Sequence, residues 1–600
     1  MKLAAFLFGT IPLVINFYVK KYIEDDKAVT LRDLEGDFGI PRIKSYDFIV
    51  VGGGTAGCVV AGRLSEKFNV LLLESGGNPV PQSEVNFFTR QVATDPDSNY
   101  LYKSIPQRNM SLSNGGIVGL ETGKMLGGSG SHNDLCHQRG SPHDWDSYAA
   151  MVGDASWSYQ NVLPLFKKTE NFVGQLLNPE ESDYYGYDGP LTVGTHLPAI
   201  FSKWAEAGIE LGYPVADPNA QQIPSFAPIQ KLIGEDGRRV STYKSYIAPF
   251  EATRQNLTVV RYSTVTRILL DSSNRAYGVA YLRHGIPQIA HASKEVILSA
   301  GAINSPLVLM MSGIGPRDVL EAAEIPVLVD LPNVGQNLAD HVFLYLGPYS
   351  FNSSAAPFLP RIREEDLEEA LTTYLNTGFG EFGELQEGPQ VFYVSSRAVA
   401  EGQGTWPDAR INLDAACPMI MDDDVESQAC FFFELDRPKS RGSVSLNTDA
   451  YVSGVTNFVE LADIDFNGFS DPTDLELLIE GIDLVSDIIE TRAFQSMGAS
   501  YAGTPISGCT GVPFLSREYW VCYINQLSTT AIHMVGTCAM GAVTDSKLRV
   551  FGVPGLRVVD ASVLPATPNA NLNYPVILVG EKAAEDIMRD WGGRASQNNA

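Results

Sequence analysis

Short apolar runs that stop at a glycine or an acid recur along this chain, and their order predicts an α/β fold. The first run, Ile49-Val50-Val51, stops at Gly52-Gly53-Gly54-Thr55-Ala56-Gly57, and a second, Val70-Leu71-Leu72-Leu73, stops at Glu74. Strand, glycine turn, helix, strand and terminal acid follow one another as in a dinucleotide-binding βαβ unit. A third run, Val296-Ile297-Leu298, passes through Ser299-Ala300-Gly301-Ala302 towards an apolar helix, Leu307 to Met311, closed by Ser312-Gly313-Ile314-Gly315. Near the other end, Leu556-Arg557-Val558-Val559 leads to Asp560-Ala561-Ser562, again an acid at the end of an apolar strand. Strands from both ends of the chain are thus predicted to build one cofactor site. Ahead of them lies Leu3 to Val19, apolar, interrupted by Pro12 and flanked by Met1-Lys2 and Lys20-Lys21. This stretch reads as a secretory signal or signal anchor over 1–22, outside the fold.

The glycine turn carries specific chemistry. Gly52 permits the tight turn, Gly54 lets the backbone approach a pyrophosphate, and Gly57 allows close packing of helix on strand; Thr55 and Ala56 open the helix, whose N-terminus favours phosphate charge. Glu74 is placed to accept hydrogen bonds from an adenosine ribose, which argues against a 2′-phosphate and leaves NAD or FAD. A second glycine cluster runs from Gly123 to Asn133 and, by itself, is compatible with any flexible turn.

With 600 residues the chain exceeds one compact core, so more than one lobe is expected. A net charge of −27 excludes nucleic acid and anionic membrane surfaces as natural partners. Asn109-Met110-Ser111, Asn256-Leu257-Thr258 and Asn352-Ser353-Ser354 are N-glycosylation acceptor patterns and, with the leader, point to a secreted, extracellular protein. If the leader is cleaved, no stable membrane partner is expected. The seven cysteines show no metal-ligand spacing. In an exported chain, Cys509 with Cys522 and Cys417 with Cys430 are close enough in sequence to pair, while Cys58 reads as a small buried residue in the nucleotide helix. His137 beside Cys136 is too small a donor set for zinc, and no metal site is expected.

In this order and over nearly the whole chain, these segments resemble the glucose-methanol-choline (GMC) family of FAD-dependent oxidoreductases. Gly123 to Ser129 resembles the family's first signature and Gly301 to Gly315 its second. Leu331 to His341 resembles a family loop, with Asn333 as an extra residue; Arg437 to Val444 resembles a family turn in its C-terminal half. His533 to Thr537 and Pro565 to Pro575 resemble the two catalytic segments. The resemblance implies a Rossmann-like FAD-binding domain assembled from discontinuous segments, 45–345 with substrate-cap insertions near 160–250, completed by 530–595. It implies an α+β substrate-binding domain over 346–529 with an antiparallel, six-stranded sheet. By the same resemblance Gly76 and Gly77 follow the ribose acid, Gly127 within the first signature and Ser131 just beyond it are cofactor-binding, Asn133 lies over the flavin, and Val265 meets the adenine. Asp560 and Ala561 fall near the pyrophosphate and isoalloxazine, and His341 reads as structural.

Oxidising an alcohol removes the hydroxyl proton and passes a hydride from the same carbon to the flavin, so a base and an oxygen-holding group are needed. His533 occupies the family's base position, and imidazole titrates near neutrality. Asn573 is assigned to the partner position, where an amide donates to a developing alkoxide. Ser131-His132-Asn133 resembles the choline-oxidase branch, in which the matching histidine is bonded to the 8α-methyl of FAD; His132 is therefore a candidate for covalent FAD attachment, a bond that favours an oxidase. The implied function is FAD-dependent oxidation of a small-molecule alcohol, with molecular oxygen or another electron acceptor and hydrogen peroxide as the oxidase product. A dehydrogenase and a cyanohydrin lyase on the same scaffold are the alternatives. Phe379, Phe382, Phe392, Tyr393, Phe431, Phe432 and Phe433 line either a substrate pocket or the core of the cap.

Overall fold

Two large sheets organise the computed structural model, which describes residues 2–36, 44–359, 367–380, 387–414 and 428–592. At the centre of the first sheet lies Lys44–Val51, parallel to Val70–Leu73 on one side and to Ile286–Leu298 on the other. Leu257–Val260 extends the sheet beyond Val70–Leu73, again parallel. The long strand Ile286–Leu298 shares its far edge between two partners. Its first half pairs antiparallel with Ala276–Arg283, which in turn pairs with Ser263–Leu270, and its last three residues pair parallel with Leu556–Val558. Phe48 to Val51 and Val70 to Leu73 are buried throughout, as expected where helices cover both faces of parallel strands.

The register decides where the site lies. Val51 pairs with Leu73 and with Leu298, and Leu298 with Val558, so four strands end level at their carboxyl ends. Gly52, Glu74, Ser299 and Asp560 follow close behind these ends and share one crevice, the place where open α/β sheets bind ligands.

The second sheet is antiparallel, in the order Ser500–Tyr501, Val342–Ser350, Gln428–Leu435, Ala409–Asp414, Glu387–Tyr393, Ser225–Ala227, with Thr529–Thr530 also on Val342–Ser350. Seven described strands stand where six were expected. Ser225–Ala227 comes from the stretch near 160–250 expected as a cap insertion, and Val342–Ser350 begins a few residues before the expected boundary at 345. A strand joins the sheet that can bond its edge, whatever its place in the chain.

The segment expected as a leader is helical. Residues Lys2–Gly36 form one helix that runs through the expected limit at 22. Ile15, Val19 and Ile23 pack on Val80, Val92 and Met125, and Asp26 accepts hydrogen bonds from the Tyr262 hydroxyl and the Asn78 amide. Among the described residues no helix is long and apolar enough to cross a membrane. Cys509 and Cys522 form a disulfide, as their spacing suggested; Cys417, Phe382 and the polar tail from Arg594 lie outside the described residues.

Candidate active site

A cavity of about 590 Å³ runs from Glu74 to His533 along the carboxyl ends of the parallel strands. At one end, Gly52 has φ +97°, and a Cβ there would lie 2.4 Å from the Ser299 carbonyl oxygen. On Gly57 a Cβ would lie 2.0 Å from the Gly52 oxygen, so neither position tolerates a side chain. Gly54, Thr55 and Ala56 line the cavity at the start of helix Thr55–Leu64. Glu74 accepts from the Gly53 and Gly76 amides, each at 2.8 Å, and still faces the cavity. Burial pushes its carboxyl up to about 7 in spite of those donors.

The middle of the cavity is made by signature loops. Asp560 accepts from Gly301 N and Ser305 Oγ with one oxygen and from Ser562 with the other, which ties the C-terminal strand to helix Gly301–Met311. Asp560, Ala561 and Val265 line the cavity, as do His132 and Asn133. Asn133 is clamped by Arg239, which donates to its side-chain oxygen at 2.6 Å. His132 is buried, and its Nε2 has no hydrogen-bond partner among the described residues. Burial and the Arg239 charge push its imidazole down to about 4. Gly127 and Ser131 stand behind the wall: Gly127 N donates to the Gly53 oxygen, joining the two glycine loops, and Ser131 Oγ donates to the Leu126 carbonyl.

The far end holds the ionisable groups. His533 Nδ1 lies 3.0 Å from His341 Nδ1, and His341 Nε2 lies 2.9 Å from the Pro568 carbonyl. Glu434 Oε2 is 3.7 Å from the Nδ1 of both rings and pairs with Arg410. Burial pushes His533 down to about 3, so the ring is neutral. Burial opposes a charge on His341 too, but Asp436 and Glu434 outweigh it and raise its pKa. Burial also works against ionised Glu434, yet Arg410 holds its carboxyl below the usual range. Asp340 accepts from the His533 amide at 2.8 Å and from Thr530 Oγ1, and burial pushes its carboxyl up to about 7.

Two sequence assignments change here. His341, read as structural, touches the predicted base. The amide beside His533 Nε2 is that of Asn571, at 3.4 Å, whereas Asn573 Oδ1 accepts from Thr55 Oγ1 at 3.1 Å, over Gly130. Asn571 lies two residues before helix Asn573–Gly592 and reaches Arg410 on the second sheet; Asn573 opens that helix and turns back to the nucleotide loops. Glu434 and Arg410 were missed altogether. Their signal was present: Arg410, Asn412 and Asp414 alternate with Ile411 and Leu413, and Glu434 follows the apolar run Ala429 to Phe433, yet all four are buried. A buried polar face on a period of two is a sheet roofing a site rather than a core. Of the aromatic candidates, Phe431 and Phe433 are core and Phe379 is exposed.

His341, Glu434 and His533 bring three ligand atoms within 4.8 Å of one another. That donor set is already engaged, because Glu434 holds a guanidinium and the two rings face each other. His137 Nε2 lies 3.2 Å from Glu170 Oε1.

Family models for GMC oxidoreductases match residues 46–343 and 438–580. An oxygen-dependent choline dehydrogenase from Pectobacterium carotovorum is 34% identical over 570 residues, 91% of this chain and 95% of that protein. A glucose dehydrogenase (FAD, quinone) from Drosophila pseudoobscura is 31% identical, covering 92% of this chain and 88% of that protein. Among solved structures, a formate oxidase superposes with a TM-score of 0.80 at 23% identity, over 92% of this chain and 99% of that one.

Proposed function

Since this chain belongs to the GMC oxidoreductase family, we propose that His533 is the base of its reaction and Asn571 the donor that holds the substrate oxygen. The chain is an FAD-dependent oxidoreductase acting on CH–OH groups of small-molecule alcohols. FAD fits the residues present: two interlocked glycine loops without room for a Cβ, a helix N-terminus for the pyrophosphate, and Glu74 for the ribose. When bound, FAD supplies the hydride acceptor. Glu74, Val265, Asp560 and Asn573 would hold it along the cavity, and His132, whose Nε2 is unpartnered there, is the candidate for its covalent attachment.

The observation that carries the assignment is the neutral His533 ring between His341 and Asn571 in the cavity wall. Pro568 offers only a carbonyl, so His341 Nε2 carries a proton. Neutral His341 then accepts from His533 Nδ1–H, and the His533 Nε2 lone pair, which accepts from the Asn571 amide until a substrate hydroxyl takes its place, receives the alcohol proton. Asn571 donates to the oxygen as it gains negative charge.

Oxygen as electron acceptor, and hence hydrogen peroxide as product, is favoured by the His132 position and by the oxygen dependence in the choline relative's name; a dehydrogenase with another acceptor is favoured by the quinone in the glucose relative's name. Secretion is supported by the exposure of Asn109, Asn256 and Asn352 and by the disulfide Cys509–Cys522. The test is anaerobic flavin reduction by a panel that includes choline, glucose and aromatic alcohols, followed by peroxide measurement in air. His533→Ala should retain FAD and reduce it about 10²- to 10⁴-fold more slowly; an unchanged rate sinks the base assignment. Asn571→Ala should slow the same step more than Asn573→Ala. Protein precipitated in acid should stay yellow, and lose that colour in His132→Ala.

A further inference from the structure

We propose that Arg410, on the second sheet, is a positioning residue that locks the Asn571 amide with its N–H groups towards His533 and thereby fixes the direction of the hydrogen-bond chain at the reacting end of the cavity. The inference rests on the reading of His533 as base and Asn571 as donor. A guanidinium has donors only. Arg410 Nη1 lies 2.6 Å from Asn571 Oδ1, so that atom must be the acceptor oxygen; a flipped amide would set N–H against N–H. The amide nitrogen is then the group 3.4 Å from His533 Nε2, and it donates to a lone pair there. With Nε2 unprotonated, His533 carries its proton on Nδ1 and donates to His341 Nδ1 at 3.0 Å, while His341 donates from Nε2 to Pro568. The chain Arg410, Asn571, His533, His341, Pro568 begins at a donor-only group and ends at an acceptor-only one. Only one direction satisfies every link, and it is the one that leaves a base at Nε2.

Arg410 is held for this task. It is 1% exposed, pairs with Glu434 on the neighbouring strand, and faces Asp436 at 3.4 Å through Nε. Its Nη1 also donates to Gln138 Oε1, which accepts from the Asn571 backbone N–H at 3.3 Å, so residue 571 is gripped at both backbone and side chain. Lysine offers one ammonium point in place of a planar fork and cannot serve Asn571, Gln138 and Glu434 together.

The test compares Arg410→Lys, Asn571→Ala and the double variant, each purified with FAD, in anaerobic reduction by the alcohol the wild type oxidises. Arg410→Lys keeps a cation beside Glu434 and should keep FAD occupancy and circular dichroism, while reducing flavin about 10²-fold more slowly. The double variant should be no slower than Asn571→Ala, because the arginine acts through that amide. In Arg410→Ala, added guanidinium ion should restore part of the rate if that variant folds. A wild-type rate in Arg410→Lys, a double variant slowed by the product of the two single effects, or loss of FAD from Arg410→Lys overturns the proposal. The two readings fail separately: a normal rate in His533→Ala removes the base, whereas a slow His533→Ala beside a normal Arg410→Lys removes only the positioning role.

Discussion

At His533 the useful property is the nitrogen that carries no proton, and the neighbour that controls it is His341. Neutral His341 accepts from His533 Nδ1–H. Protonated His341 donates from both ring nitrogens, turns His533 Nδ1 into an acceptor and moves that ring's proton to Nε2, where it occupies the base. The groups facing His341 are Asp340, Asp436, Glu434, Arg410 and His533, and Asp436 and Glu434 raise its pKa against burial. A raised imidazole pKa means that protonation sets in above 6.5 as pH falls. The rate of flavin reduction should therefore decline on acidification with a midpoint above 6.5, not near the value of about 3 that belongs to His533 itself. His341→Leu should remove this limb and lower the plateau. A midpoint below 6.5 in the wild type would show that some other group controls the base.

Among the elements, the strand Val70–Leu73 matters for its last step into Glu74. The carboxylate is held by two backbone amides of neighbouring turns, and each oxygen keeps a further lone pair for a ribose hydroxyl. Glu74→Ala should lower FAD occupancy after purification, measured as flavin absorbance per protein in the His132→Ala background, where the cofactor is retained by binding alone. Molecules that remain loaded should reduce at the rate of that background, since Glu74 lies at the opposite end of the cavity from His533. Full occupancy would reduce Glu74 to a tie between the Gly53 and Gly76 turns. The strands Ala409–Asp414 and Gln428–Leu435 work differently: each turns one face to the core and the other, with Arg410 or Glu434, to the site.

For the molecule as a whole, a buried cluster joins segments that are far apart in sequence. Glu170 accepts from Arg139 Nη2 at 2.6 Å, from Tyr574 at 2.7 Å and meets His137 at 3.2 Å, so the loop after His132, the cap insertion and the C-terminal helix share one carboxylate. Burial opposes its charge, but Arg139 prevails and holds it at about 2. The folded pKa is thus below the ordinary 4.5, and the stabilisation is complete above 4.5 and lost as pH falls through about 2. Glu170→Gln leaves Arg139 buried without its partner and should cost about 3–5 kcal/mol at pH 7. In paired thermal melts the gap between variant and wild type should narrow towards about pH 2. A gap that does not change with pH would mean that the variant acts through packing alone.

Local sequence determined the nucleotide half of this protein. Glycines with a required φ or a forbidden Cβ, apolar strands closed by an acid, and the helix that follows are written within a few residues, so Gly52 to Gly57, Glu74, Ser299 to Gly301 and Asp560 were legible before any contact was known. The reacting end was legible only in part. His533 stands in a recognisable segment, but Asn571 and Asn573 are two residues apart in one turn, and which of them faces the imidazole depends on where helix Asn573–Gly592 begins. Arg410 and Glu434 left a trace as polar residues on buried strands, but nothing along the chain told that they pair with each other across the second sheet or that His341 meets His533, with partners 24 and 192 residues apart. Spacing along the chain carries no record of such register; the packing of the second sheet over the cavity selects it, since buried charges are tolerated only where they find one another.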